Sequence, residues 1–146
     1  ISTGLMDAMM RHMIENSPAL RLIRLLASLD QGPILFMDTV LPSAECWQQE
    51  EIFSTYLAMA ERGDAAAWHA RYIRILHEVL GQDATYLPQP PQTITEEVFT
   101  APEWMRGSLR MQPRRDIPHE KTDFGHANPA YGALQLDLIA EALARL

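Results

Sequence analysis

The stretch DAAAWHARYIRILHEVLG, residues 64–81, decides the fold. Asp64 is a helix N-cap residue, and Gly81 is a C-terminal stop. Between them Trp68, Tyr72, Ile75, Leu76, Val79 and Leu80 recur at helical spacing and mark one inward face. Upstream, Arg62-Gly63-Asp64 is a very short link to another helical pattern. That pattern starts near Ser43 and runs to Arg62, with Ile52, Phe53, Tyr56, Leu57 and Ala60 facing in. So short a link predicts an antiparallel helix hairpin.

Two more helices precede the hairpin. Ser17 caps and Pro18 opens a helix whose apolar residues are Leu20, Leu22, Ile23, Leu25, Leu26 and Leu29. Gly32 and Pro33 end it, and its wide apolar face predicts the most buried helix of the chain. Thr3 to Glu15 forms the first helix. There Met6, Met9, Met10 and Met13 stand at i, i+3, i+4 and i+7, a stripe of thioethers that fits either core or an adaptable partner surface. Residues 34–41, ILFMDTVL, read as extended, without an evident strand partner.

The character changes after Gly81. Seven of the ten prolines lie between Pro88 and Pro129. Residues 86–91, YLPQPP, read as stiff polyproline II. Thr93-Ile94-Thr95-Glu96 fits a capping box for a short helix holding Val98 and Phe99. Pro102 to Met105 reads as a single turn. Residues 107–128 show no sustained periodicity, and Gly125 reads as a breaker of any turn there. Asn128 and Pro129 then start a last helix to Leu146, with Tyr131, Leu134, Leu138 and Leu143 inward. The expected fold is therefore mainly α: a small irregular bundle of four to five helices with a long proline-rich segment before the last one. One domain spans 1–146. It comprises four helices over residues 1–81, an irregular wrap over 82–128 and a closing helix over 129–146. Phe99, Trp104, Met105, Leu109, Met111, Ile117 and Phe124 supply the wrap with enough apolar surface to pack.

Composition narrows the function classes. The 146 residues are 47% hydrophobic, which excludes a wholly disordered chain. A net charge of −7 argues against general affinity for nucleic acid or anionic membrane. No apolar run reaches the roughly 18 residues of a membrane span. The single Cys46 makes no internal disulfide and reads as a buried structural thiol. With no secretory leader in view, this points to the cytoplasm, although export by a dedicated machine would leave the same signature. Beginning at Ile1, the chain reads as a piece of a longer product.

Three clusters carry candidate chemistry. His119, Asp123 and His126 fall within HEKTDFGH, residues 119–126. On a helical turn begun near Asp116 and Pro118, all three would share one side. Two imidazoles and one carboxylate suit iron, zinc or manganese with open positions for water or substrate, and Glu120 is placed to act as outer partner or base. Next, residues 106–115 carry Arg106, Arg110, Arg114 and Arg115 without an acid. Forked guanidiniums there would grip a phosphate or carboxylate. They would equally well pair internally with residues 38–64, which hold six acids and only Arg62. The third cluster is the Met6, Met9, Met10 and Met13 stripe, a candidate partner-binding face. His69 and His77 stand too far apart along one helix to share an ion, and no Glu-x-x-His spacing occurs.

The first expectation is a helical interaction module (an adaptor, assembly factor or accessory subunit) engaging a protein partner or itself. The alternative is a metal-dependent enzyme or metal-binding protein using His119, Asp123 and His126. A further alternative is an arginine-mediated binder of a phosphorylated or carboxylated small molecule.

Overall fold

A computed structural model describes residues 2–30, 32–112 and 115–145, with backbone alone at 111, 112, 115 and 116. The architecture is mainly α. Among the described residues, five α-helices are joined by short strands and 3-10 turns. Contacts divide the chain into two compact units, one of Ile1–Met37 with Ala67–Leu87, the other of Asp38–Ala66 with Pro88–Leu146.

In the first unit, α1 (Thr3–Glu15) starts where the Ser2 hydroxyl accepts the Leu5 N–H. The helix α2 (Pro18–Ser28) starts the same way, with Ser17 Oγ accepting the Leu20 N–H at 3.2 Å. Helix α4 (Ala65–Leu80) contributes all but its first residues here. The core is Leu20, Ile23, Leu76, Leu80 and Tyr86, with Ile14, Ile34, Phe36 and Tyr72 against it. Asp7 of α1 pairs with Arg71 at 2.8 Å and Arg74 at 2.6 Å on α4. Arg11 reaches Glu78, which also takes Arg74. These hydrogen bonds, Arg11 first, hold the Glu78 carboxyl below its ordinary range.

Two expectations change in this unit. Residues 34–41 do have a strand partner: β1 (Leu35–Met37) pairs in parallel with β2 (Thr85–Leu87), Phe36 opposite Tyr86. That partner lies at the start of the stretch read as polyproline II. All three of its paired residues precede the first proline there and retain their N–H groups. Also, α2 is not the most buried helix. Only Leu20 and Ile23 are buried, and Leu22, Leu25, Leu26 and Leu29 stand exposed. Its apolar residues occupy two opposite faces, and the chain covers one.

The second unit holds α3 (Glu50–Arg62), preceded by a 3-10 turn at Cys46–Gln49, and α5 (Pro129–Leu143). The third helix thus begins later than Ser43. That serine is instead buried and bridged to Thr100, with Ala44 N–H donating to Thr100 O. Non-helical backbone at Phe53 joins the two helical pieces. Phe53, Leu57 and Ala60 pack on the core, whereas Ile52 and Tyr56 face out. The core is Cys46, Ala65, Val98, Phe99 and Phe124. Cys46 is a buried free cysteine, and burial pushes its thiol up, only partly opposed by its own backbone N–H.

The expected capping-box helix after Thr93 is a hairpin of β3 (Ile94–Thr95) and β4 (Phe99–Thr100). Thr93 is committed backwards: its hydroxyl donates to Pro90 O at 2.7 Å and accepts from Gln89. It therefore cannot cap, and Glu96 and Glu97 turn the chain with positive φ. Gln89 ties three segments together. Its amide donates to Thr93 and Thr100 hydroxyls, and its carbonyl accepts the Leu41 N–H at 2.9 Å. Residues 107–128 also contain order, an antiparallel pair of β5 (Leu109–Gln112) and β6 (Arg115–Pro118). Phe99, Met105 and Phe124 are buried, while Leu109 is exposed. Asn128 caps α5 through Tyr131 N–H, and its own amide donates to the Glu103 and Arg106 carbonyls. Among the described residues, no helix is long and apolar enough to cross a membrane.

Candidate metal centre

The loop after β6 is fixed at several points before any side-chain chemistry is considered. His119 N–H donates to Ser108 O at 2.9 Å, extending the β5–β6 pairing by one bond. Asp123 N–H donates to Glu120 O, which closes a turn. Asp123 Oδ1 then accepts the Gly125 N–H at 3.1 Å, a local turn characteristic of aspartate. Phe124 is buried in the core, and its carbonyl accepts the Ser43 N–H. The Gln49 amide holds Thr122 O at 3.0 Å.

These bonds bring His119, Asp123 and His126 together. One ligand atom from each lies within 4.8 Å of the other two. Both imidazoles turn Nδ1 to the same carboxylate. His126 stands 2.8 Å from Asp123 Oδ1, and His119 pairs with Oδ2. The two rings stack with centroids 4.4 Å apart and 16° between planes. The helical turn expected from the spacing does not form. Two successive tight turns bring the three residues together instead, and the Gly125 N–H supplies one of the bonds. His119 and Asp123 are largely shielded, and His126 is open to solvent.

Burial pushes the Asp123 carboxyl up, but the His126 hydrogen bond, the Gly125 N–H and the charge of both imidazoles outweigh it. The carboxyl is held below its ordinary range. It is therefore an anion at neutral pH, as a metal ligand must be. Asp123 lies between two hollows. One of about 540 Å³ is lined by Ser43, Met105, Arg106, His119 and Asp123. The other, of about 370 Å³, is lined by Gln49, Phe53, Arg110, Glu120 and Asp123.

The remaining candidates are placed as follows. Arg106 forks onto Glu45, with Nε 3.1 Å from Oε2, and this hydrogen bond lowers the Glu45 carboxyl. Arg110 reaches Glu120 at 3.5 Å, so Glu120 sits with an arginine at the edge of the centre. Arg114 lies outside the described residues, and only the backbone of Arg115 is described. Internal carboxylates thus occupy both described guanidiniums of the basic stretch. Of the methionines, Met10 is buried, Met6 half-buried, and Met9 and Met13 exposed. His69 is half-buried, and His77 rests edge-on against Tyr86 at 5.6 Å. Among the described residues, no other group of three ligand side chains gathers.

The supporting contacts have no signature in the sequence. Ser108, Gln49 and Ser43 act through backbone groups or long-range amide bonds, which no local spacing announces. No family model, no curated protein and no solved structure matches this chain.

Proposed function

We propose that this chain binds one divalent first-row transition ion through His119, Asp123 and His126. The observation that carries the reading is the convergence of two imidazole Nδ1 atoms on one shielded carboxylate, beside a hollow of about 540 Å³. Two nitrogens and one oxygen suit zinc, iron(II) or manganese(II). Three protein ligands leave positions for water or a small molecule, as centres that do chemistry require and purely structural zinc sites do not. Met105 and Ser43 border that open side. The affinity order expected for such donors is manganese(II) below iron(II) below zinc.

The competing account is that both imidazoles merely donate Nδ1–H to Asp123 and clasp the loop. Elemental analysis and calorimetric titration with each ion separate the two accounts. Near one equivalent bound by the wild type is expected. Removal of a ligand in His119→Ala, Asp123→Asn or His126→Ala should weaken binding more than the ~10–100-fold typical of an outer partner. A wild type that takes up no ion, or variants that bind as well as it does, refutes the reading.

A further inference from the structure

We propose that the outward face of α2 is a docking surface for an acidic amphipathic helix of another protein. The helix is apolar on two opposite faces. Leu20 and Ile23 serve the core. Leu22, Leu25, Leu26 and Leu29, at i, i+3, i+4 and i+7, are 55%, 58%, 43% and 54% exposed. That spacing is the seam by which one helix packs on another, and a helix apolar on both sides is normally covered on both. A monomer that leaves such a row in water marks an interaction site. Helix α1, which contacts α2, also exposes Leu5, Met9 and Met13 at steps of four. Exposed thioethers adapt to a partner's shape at little cost.

Charge selects the occupant. Arg21 and Arg24 are the only charged residues of Pro18–Ser28. Among the described residues neither has a carboxylate partner, whereas Arg11, Arg71, Arg74 and Arg106 are all engaged. Two uncommitted guanidiniums beside a leucine row call for carboxylates flanking the partner's own apolar row. A second copy docked α2 on α2 would set four guanidiniums together, which is repulsive.

The test uses the full chain and a fluorescein-labelled synthetic helix with leucine at heptad a and d and glutamate at e and g. The same peptide with lysine at e and g, and phosphatidylserine-containing vesicles, run alongside. Saturable one-to-one binding of the glutamate peptide is expected in fluorescence anisotropy, with the lysine peptide at least about tenfold weaker. Leu22→Ser with Leu25→Ser should weaken binding about tenfold or more while leaving the thermal transition in place, since both side chains face water. Arg21→Glu with Arg24→Glu should reverse the preference between the peptides. No binding of the glutamate peptide at about 100 µM, equal binding of both peptides, or indifference to the leucine changes overturns the proposal. So does vesicle binding or dimerisation that the leucine changes abolish in place of peptide binding, which would give the face to lipid or to a second copy.

Discussion

Truncating Phe124 to alanine tests whether the core positions the candidate metal centre. Phe124 is 4% exposed and packs with Cys46, Ala65, Val98 and Phe99. Its backbone is tied through the Ser43 N–H at 2.9 Å, so the loop cannot simply slide into the vacated space. Phe→Ala changes in cores cost about 3–5 kcal/mol, and a site that collapses poorly lies in the upper half of that range. With a urea slope of about 2 kcal/mol per molar, the midpoint should fall by roughly 2 M. Phe124→Leu keeps most of the volume and should cost about 1.5 kcal/mol or less. Tryptophan fluorescence reports the transition well, because Trp47 and Trp104 belong to the same compact unit as Phe124. In the absence of urea, Phe124→Ala should also weaken zinc binding about tenfold or more, because Phe124 anchors the residues on either side of it. A midpoint lowered by less than about 0.5 M at unchanged slope refutes the packing argument. Normal zinc affinity in a destabilised variant refutes the claim that this anchor positions Asp123.

Gln89→Ala removes three hydrogen bonds and leaves the Leu41 N–H at 2.9 Å without its acceptor, so urea unfolding should show a loss of about 2–3 kcal/mol. The Glu45 carboxyl is lowered by Arg106, so that pair contributes above the ordinary carboxylate value of 4.5 and fades as pH falls through the lower folded value. Arg106→Ala should therefore cost little stability at neutral pH, and the difference from wild type should vanish in acid; a difference that grows below pH 4.5 refutes the assignment. Chelation should leave the far-UV circular dichroism unchanged and lower the unfolding free energy only as mass action requires, about 2.7 kcal/mol at a free-ion level 100 times Kd. Collapse of the helical signal on chelation would show instead that the ion is needed to fold.

The helices are legible because their signals are local. Ser17 and Pro18, Asn128 and Pro129, and Gly63 each act within a turn of their own position. The short strands are not, because their cause is distant. Phe36 pairs with Tyr86, and Thr93 is drawn back to Pro90 by Gln89. Periodicity also marks apolar faces without saying how many are covered, which is why it points wrongly to α2 as the most buried helix. The three residues of the candidate centre can be named from composition within eight positions, but the spacing offers a helical turn as the reason for their meeting. The structure reaches the same juxtaposition through the Glu120–Asp123 turn and the Asp123–Gly125 bond, neither of which has a periodic signature.

The difference between a helical turn and this pair of turns matters for the proposed chemistry. Residues on one helix face point outwards in parallel, whereas here both imidazoles point inwards to one carboxylate. The positions of His119 and Phe124 are set by contacts that contain none of the three ligand side chains: the Ser108 carbonyl, the Ser43 amide and the apolar core. If the proposed ion binds, it would meet a loop already ordered, and binding energy would not be spent on ordering it. His126, the exposed member, lies beyond Phe124 and is held by its bonds to Asp123 and its stack on His119. The proposed centre thus has two shielded side chains on a fixed frame and a third at the solvent edge, so an entering ion would meet His126 first.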